Sequence, residues 1–269
     1  MRRWLAALLL LLPPSLPAGA VEFTLAGTPE QGALLYGRTE PGAAVMLGET
    51  NVPVAADGRF LIGLDRDAPA EVTIMAGKDG VIDSQTLAVA KRDYAIQRID
   101  GLPPEQVTPP QELLDRIAAE REQLVAARAL ERLTLEWAGG FAWPAEGRIS
   151  GVYGSQRILN GEARQPHYGV DVAVPTGTPI RAPADGLVVL AVEDFFYQGT
   201  LVMIDHGLGL KSTLMHLSTL EVATGDLVTK GQVVALSGAS GRVTGAHLDW
   251  RVNWLGSWID PQQLVPPME

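Results

Sequence analysis

The sequence predicts a mainly β protein in which a small N-terminal β-sandwich and a C-terminal antiparallel β domain are joined by a helical linker. Short apolar runs rich in Val, Ile, Leu and Thr, separated by Gly, Pro and Asp-Gly turn signals, fill residues 21–94 and 143–269. Between them lies a charged segment whose apolar residues follow a helical period. The 269 residues and 46% hydrophobic content suit two small globular domains.

Residues 1–20 have the pattern of a secretory signal peptide. Arg2 and Arg3 precede the apolar run of residues 5–12, and the small residues at positions 18–20 offer a cleavage site. The apolar run is too short to span a bilayer stably, so an uncleaved anchor is the weaker alternative and we expect no membrane span in the mature chain. The expected location is therefore periplasmic or secreted.

The chain is acidic and has no cysteine. Its 21 Lys and Arg against 31 Asp and Glu give a net charge of −10, and losing Arg2 and Arg3 with the signal peptide leaves 19 against 31, or −12. This charge argues against nucleic acid and against anionic membrane surfaces as partners. Without cysteine, the exported chain forms no disulfide and carries no lipid on a cysteine.

Residues 21–94 predict a small immunoglobulin-like sandwich of about seven short strands. Turn signals at Glu40-Pro41-Gly42, Asp57-Gly58 and Asp79-Gly80 divide the segment. The Asp57-Gly58 pair predicts a hairpin between residues 52–54 and 59–62. The segment contains neither histidine nor cysteine, so we expect it to position the rest of the chain or to bind a partner.

Residues 95–142 predict a proline-rich linker followed by a helix. Thr108, Pro109 and Gln111 form the pattern of a capped helix start, and the helix is expected over residues 110–133. Its apolar side is expected to contain Leu113, Ile117, Leu124 and Val125. The helix either packs on one of the two domains, or it docks on a partner or lies over a functional groove.

Residues 143–269 predict a domain that is almost all β. Apolar runs at residues 186–192, 200–204 and 232–236 are separated by turn residues. The connection at residues 225–232 is similar to the hairpins of lipoyl-type barrel-sandwich folds. Three tryptophans, Trp250, Trp254 and Trp258, are expected in the core or on the floor of a groove.

All four histidines of the chain, His167, His206, His216 and His247, lie in this domain. His167 and Asp171 are metal-ligand types, but on a straight strand they would lie about 13 Å apart. A shared ion therefore requires a bend, which Gly169 can supply.

From residue 247 the sequence alternates between polar and apolar side chains, which is the period of a half-buried strand. His247 and Asp249 then face the same side, about 6 to 7 Å apart.

The ordered motifs PHYGVDVAVPTGTPIRAPADGLV, DHGLGLKSTLMHLS, GDLVTKGQVVALSGASG and TGAHLDW, within residues 143–261, resemble the lysostaphin-type (LytM domain) zinc metalloendopeptidases. The resemblance is to the exported Gram-negative type with an N-terminal immunoglobulin-like domain. It implies a LytM-type antiparallel β-sheet, one zinc ion or another divalent metal, and hydrolysis of peptide crosslinks in peptidoglycan. The implied partners are peptidoglycan peptides, and a cell-wall protein bound through the N-terminal domain or the helix is a further candidate.

Carried over by position, the resemblance implies His167, Asp171 and Asp249 as metal ligands. It implies His216 and His247 as catalytic residues that deprotonate the attacking water and stabilise the oxyanion.

The sequence departs from the family at two positions, because the family has histidine in place of Asp249 and usually tyrosine in place of Leu214. Two carboxylates and one imidazole would cancel the charge of Zn²⁺, so the ion would polarise water less. The departure predicts a slower zinc hydrolase, a site that prefers a harder ion such as Mn²⁺, or a domain without catalysis. The alternative function is accordingly a degenerate, non-catalytic LytM module that binds or activates a separate cell-wall hydrolase.

The sequence also suggests roles for His206, Tyr153 and Arg157, and it argues against one for Lys230. His206 lies at a strand-to-turn junction, is not used by the family, and is expected to be structural. Tyr153 could donate a hydrogen bond to an oxyanion, and Arg157 could hold a substrate carboxylate, so both are substrate-binding candidates. A lipoyl-like carrier is disfavoured because Lys230 lacks the residues that flank a carrier lysine.

Overall fold

The computed structural model describes residues 21–99 and 111–268. The predicted signal peptide, the proline-rich linker and the helix cap at Thr108 and Pro109 lie outside these ranges. Within them the chain is mainly β, as predicted, with twenty strands and one α-helix. No helix in these ranges is both long and apolar enough to cross a membrane.

The N-terminal region contains seven strands, the number that the turn signals predict. They are β1 (Phe23–Ala26), β2 (Leu34–Thr39), β3 (Ala44–Leu47), β4 (Thr50–Val52), β5 (Arg59–Gly63), β6 (Glu71–Lys78) and β7 (Val81–Ala88). They form a three-stranded sheet, β1-β2-β5, and a four-stranded sheet, β4-β3-β6-β7. Both sheets bury apolar side chains in one shared core, including Leu35, Phe60 and Ile74 at 1% exposure or less. Two sheets around one core are the arrangement expected of a sandwich.

Both Asp-Gly turn signals of this region form turns, and the hairpin predicted at Asp57-Gly58 is limited to a single bridge. Asp79 and Gly80 join β6 to β7 with positive φ angles of 51° and 82°, which is the type I′ turn favoured by Asp-Gly. The turn at Asp57-Gly58, where the sequence predicts a hairpin, brings Val54 into an antiparallel bridge with Phe60, but β4 and β5 belong to different sheets. β5 pairs with β2 instead, because this pairing buries Phe60 and its two apolar neighbours.

The segment expected to be only linker and helix begins with a strand. β8 (Ile96–Ile99) pairs in parallel with a strand of the C-terminal region, β10 (Gln156–Leu159). The α-helix, α1 (Gln111–Ala129), ends four residues before its predicted end. Beyond it, the carbonyls of Leu130 and Arg132 accept hydrogen bonds from Lys211 Nζ and the Leu208 N–H, which draw the chain out of the helix.

The rest of the chain forms strands and two 3₁₀ turns, at Glu136–Gly139 and Pro261–Gln263. The strands besides β10 are β9 (Arg148–Gly151), β11 (Glu162–Ala163), β12 (Gly169–Ala173), β13 (Pro179–Arg181), β14 (Gly186–Phe195), β15 (Gly199–Asp205), β16 (Leu210–Leu220), β17 (Leu227–Val228), β18 (Val233–Ser237), β19 (Leu248–Trp254) and β20 (Ser257–Ile259).

The large C-terminal sheet has the order β17-β14-β15-β16-β19-β12-β9, with β13, β18 and β20 alongside, and its described pairs are antiparallel. One face carries Leu214, Trp250 and Trp254, each at most 1% exposed. The opposite face is polar at β12 and β19, and apolar at β15, where Leu124 and Ala127 of α1 pack with the sheet. The helix therefore packs on the C-terminal domain, although Val125, expected on its apolar side, is 52% exposed.

The N-terminal sheets pack directly on the C-terminal sheet. Both contribute to one continuous apolar core. Arg92 forms an ion pair with the buried Asp260 at 2.8 Å, and the Asp260 N–H donates to Gly32 O at 2.8 Å. Gly63 faces Trp254 so closely that a Cβ there would lie 2.7 Å from the indole ring. Because of this packing, the two predicted domains support each other.

Candidate metal centre

Three of the residues that the sequence singles out meet at the paired strands β12 and β19. Asp171 on β12 stands directly opposite Asp249 on β19. His167 Nε2 lies 3.0 Å from Asp171 Oδ1 and 3.5 Å from Asp249 Oδ2. Ligand atoms about 2.1 Å from one tetrahedral zinc ion are about 3.4 Å apart, so this spacing fits a shared ion. We call His167, Asp171 and Asp249 the metal cluster.

A bend before β12 brings His167 back to Asp171. The His167 N–H donates to Ser155 O and its carbonyl accepts from the Gly154 N–H, both at 2.8 Å, which holds this residue ahead of the strand. Gly169 has a different role from the expected one, because it lies within β12. A Cβ at Gly169 would lie 2.6 Å from Asp249 Oδ1, so glycine permits the close approach of β19.

The cluster contains polar atoms that make no hydrogen bond. His167 Nδ1 lies 3.2 Å from Val152 O and donates to this carbonyl, so Nε2 faces the carboxylates. His167 Nε2 and Asp171 Oδ1 are buried, and neither has a hydrogen-bond partner among the residues that the structure describes. Two carboxylates opposite each other repel unless a cation lies between them. The cluster therefore fits a divalent metal ion.

Asp249 has a second partner in Arg251, two residues further along the same face of β19. Arg251 Nη2 donates to Asp249 Oδ2 at 2.6 Å, and Nε lies 3.1 Å from both carboxylate oxygens. Asp249 is only 2% exposed. Alternation along the strand places Arg251 on the same face as Asp249, so the i, i+2 spacing of opposite charges is the sequence signal for this pair.

The charges around the cluster shift its ionisation strongly. Burial raises the pKa of Asp249, but Arg251 and His167 outweigh it and hold the carboxyl far below its usual pKa. Burial lowers the pKa of His167, but the negative charges of Asp171 and Asp249 close to its ring outweigh burial and raise it to about 10. The site thus attracts positive charge at the His167 nitrogen, which a metal ion would supply in place of a proton.

Two more histidines lie beside the metal cluster. The rings of His216 and His247 have centroids 4.8 Å apart, and His247 Nε2 is 3.9 Å from Asp171 Oδ1. His216 Nδ1 lies 3.0 Å from Ser240 O, and His247 Nδ1 lies 2.8 Å from Gly245 O. Each imidazole is thus held by a backbone carbonyl through Nδ1, which leaves Nε2 for proton transfer.

His216 reaches the site because β16 is irregular at this residue. Its φ of 64° lies in the left-handed region, and the pairing of β16 with β15 shifts register here. Leu214 and Leu217 both remain in the core at 0% exposure, so His216 is the extra residue of a bulge. Bulges of this kind direct a side chain away from its regular face, and alternation along the sequence does not reveal them.

The remaining candidates lie elsewhere. His206 is fully buried, with Nδ1 2.7 Å from Asp185 O and Nε2 2.9 Å from Ser212 Oγ, in agreement with the structural role expected of it. The expectation for Tyr153 is wrong, because its buried hydroxyl donates to Trp258 O at 2.6 Å and is not free to meet an oxyanion. Arg157 is exposed on β10 and stays a prediction.

Comparison with known proteins places this site in a family. Residues 165–261, which include the metal cluster and both neighbouring histidines, match peptidase family M23. A crystal structure of a Pseudomonas aeruginosa protein assigned to peptidase M23 has a TM-score of 0.69 at 27% identity, over 87% of this chain and 94% of that chain. This similarity confirms the predicted fold class.

Several curated proteins are similar to part of this chain. The peptidoglycan DD-endopeptidase ShyA of Vibrio cholerae is 37% identical over 122 residues, which are 45% of this chain and 28% of ShyA. The DD-carboxypeptidase/endopeptidase Mpg of Neisseria meningitidis is 38% identical over 120 residues, 45% of this chain and 27% of Mpg. The NlpD/LppB homolog of P. aeruginosa is 34% identical over 128 residues, 48% of this chain and 40% of that lipoprotein. The chain thus covers less than half the length of each relative.

Proposed function

We propose, on the premise that residues 165–261 are a peptidase family M23 domain, that this protein is an exported zinc metalloendopeptidase that hydrolyses peptide crosslinks of peptidoglycan. The observation that carries the proposal is the pair of buried atoms without hydrogen bonds, His167 Nε2 and Asp171 Oδ1, which face each other at 3.0 Å beside Asp249. Export rests on the signal-peptide pattern of residues 1–20.

In this proposal His167, Asp171 and Asp249 hold one zinc ion. A bound zinc ion supplies a Lewis acid that polarises the scissile carbonyl and makes water a stronger nucleophile at neutral pH. The protein contributes ligands whose positions are set in advance, since the β12–β19 pairing orients both carboxylates and the Val152 carbonyl orients the imidazole.

His216 is assigned as the general base. Burial lowers its pKa, so its imidazole is neutral near pH 7 and Nε2 can accept a proton from the attacking water. His247, whose Nε2 lies 3.9 Å from Asp171 Oδ1, is assigned to stabilise the developing oxyanion. The proton taken up by His216 would then pass to the leaving amine.

The substrate class follows from the relatives. ShyA is named a peptidoglycan DD-endopeptidase and Mpg a DD-carboxypeptidase/endopeptidase, and each is similar to this chain over at least 120 residues. We therefore propose peptide crosslinks of peptidoglycan as the substrate.

The test is digestion of purified sacculi by the purified protein, with the released peptides identified by mass spectrometry. We expect cleavage that a chelator stops and zinc restores, and that His167→Ala abolishes. Asp93→Asn, which removes one exposed carboxylate far along the sequence from the cluster, is the matched control and should keep full activity. Cleavage by His167→Ala at the native rate would contradict the proposal.

One observation is compatible with a second function, the non-catalytic module. Arg251 already places a cation on Asp249, so it could replace the metal as the charge that holds the cluster together. A protein of this kind would bind no zinc and would change the activity of a separate cell-wall hydrolase. Elemental analysis of the purified chain separates the two functions.

A further inference from the structure

The Asp249–Arg251 pair is built into the sheet rather than lying on its surface. The Asp249 side chain is 3% exposed and the Arg251 side chain is 24% exposed. Gly169, opposite Arg251 on β12, makes room for it, since a Cβ there would lie 2.6 Å from Arg251 Cγ. The three hydrogen-bonding contacts from Arg251 to Asp249 lie between 2.6 and 3.1 Å. A substitution at either position therefore changes the charge beside the metal cluster.

Arg251 changes the net charge of the side chains at the metal cluster. The metal cluster contains one neutral imidazole and two carboxylates, and Arg251 adds one positive charge, so the four side chains together carry one negative charge. The usual ligand set of the family, with histidine in place of Asp249, contains two neutral imidazoles and one carboxylate and also carries one negative charge. The expected loss of zinc polarisation, based on the three ligands alone, therefore does not hold once Arg251 is counted.

We propose that Asp249 and Arg251 act as one unit that replaces a neutral histidine ligand, with Arg251 as a positioning residue that compensates the second carboxylate and orients it toward the metal. The inference rests on the proposed function and deepens it. A carboxylate can serve both partners, because its two oxygens offer about four lone-pair directions and Arg251 leaves some of them for an ion. The pair would keep the charge of the loaded site at plus one.

Asp249→His restores the residue that is usual in the family, yet we expect it to weaken zinc binding. With Arg251 still present, this variant leaves an unpaired guanidinium next to a divalent cation. We expect it to bind zinc more weakly than the native protein, by on the order of tenfold or more. Asp249→His combined with Arg251→Met removes both charges and should bind zinc within a few fold of the native affinity.

The experiment measures zinc dissociation constants for the full-length native protein, Asp249→His and Asp249→His/Arg251→Met by competition with a chromogenic chelator. Thermal unfolding of the metal-free proteins checks that each one folds. Arg148→Met, which removes an exposed arginine from the neighbouring strand β9, is the matched control for the loss of one positive charge. We expect its affinity to equal that of the native protein.

The outcomes separate the two proposals. Native zinc binding, with weaker binding in Asp249→His and recovery in the double variant, supports the unit. If the native protein binds zinc and Asp249→His binds it equally well or better, the pairing inference fails while the zinc enzyme stands. If the native protein binds no zinc and Asp249→His gains it, Arg251 replaces the metal, and both the inference and the zinc enzyme fail.

Discussion

Two groups of buried polar residues lie on the same β-sheet and differ in how their histidines are bonded. The metal cluster contains His167, whose Nε2 has no hydrogen-bond partner among the described residues. The second group, which we call the structural cluster, consists of Asp205, His206, Lys211 and Ser212. There His206 uses both ring nitrogens, at 2.7 and 2.9 Å, and Lys211 lies 3.9 Å from Asp205.

The difference teaches that burial alone does not identify a functional histidine. His206 is the most buried of the four histidines, yet both of its nitrogens are occupied by protein groups. The other three are each held through Nδ1 by a backbone carbonyl, with Nε2 directed to one region. Histidines bonded on one side only are therefore candidates for a ligand or for proton transfer. Substitutions in the two clusters should accordingly affect different properties.

The largest effect is expected from His167→Ala. It removes a ligand and the only imidazole of the metal cluster, so zinc binding and peptidoglycan cleavage should be lost together. Elemental analysis and the sacculus assay measure both. Retention of stoichiometric zinc in this variant would show that the ion binds elsewhere.

The next largest effect is expected from His216→Ala and His247→Ala. Each should lower kcat by about 10²- to 10⁴-fold while zinc content stays at the native level, because these residues handle protons and charge and are not ligands. Steady-state kinetics on a crosslinked peptide would measure this separation. Zinc loss on changing either residue would move it into the ligand set.

In the structural cluster, Lys211→Met should change stability and leave zinc content unaltered. Lys211 is 1% exposed and Asp205 is fully buried, so the variant leaves a buried carboxylate without its ion-pair partner. The free energy of unfolding should fall by about 3–5 kcal/mol, measured by urea denaturation. A variant as stable as the native protein would show that the pair contributes nothing.

Acid should destabilise the structural cluster through His206. Burial lowers the pKa of His206 to about 4, below its ordinary value of 6.5, so the unfolded chain binds more protons between these values. The contribution of neutral His206 is therefore complete above pH 6.5 and is lost as the pH falls toward 4, at a cost of about 3 kcal/mol. Unfolding of the metal-free protein, compared with His206→Gln between pH 7 and 4, isolates this contribution. Equal pH dependence in the two proteins would contradict it.

Patterns that repeat over a few residues were predictable from sequence. The alternation along β19 places Leu248, Trp250, Val252 and Trp254 in the core, and the apolar runs of β14, β15 and β18 form strands where expected. The assignment of a structural role to His206 also needed only local context. In these cases neighbouring residues determine which face a side chain occupies.

Features set by distant residues were not predictable in this way. The end of α1 depends on Lys211, 81 positions from the carbonyl that it holds. The pairing of β8 with β10, the pairing of β5 with β2 and the bulge at His216 all arise from tertiary packing. The Asp249–Arg251 pair was visible in the sequence, but its importance depends on Asp171 lying opposite Asp249.

The most direct test of the central claim is anomalous diffraction at the zinc absorption edge from crystals of the native protein grown with zinc. The account predicts one strong peak within about 2.0 to 2.2 Å of His167 Nε2 and of an oxygen from each of Asp171 and Asp249, with Arg251 still bonded to Asp249. No peak at this position, with Arg251 alone neutralising the two carboxylates, would contradict the claim that the cluster is a metal centre.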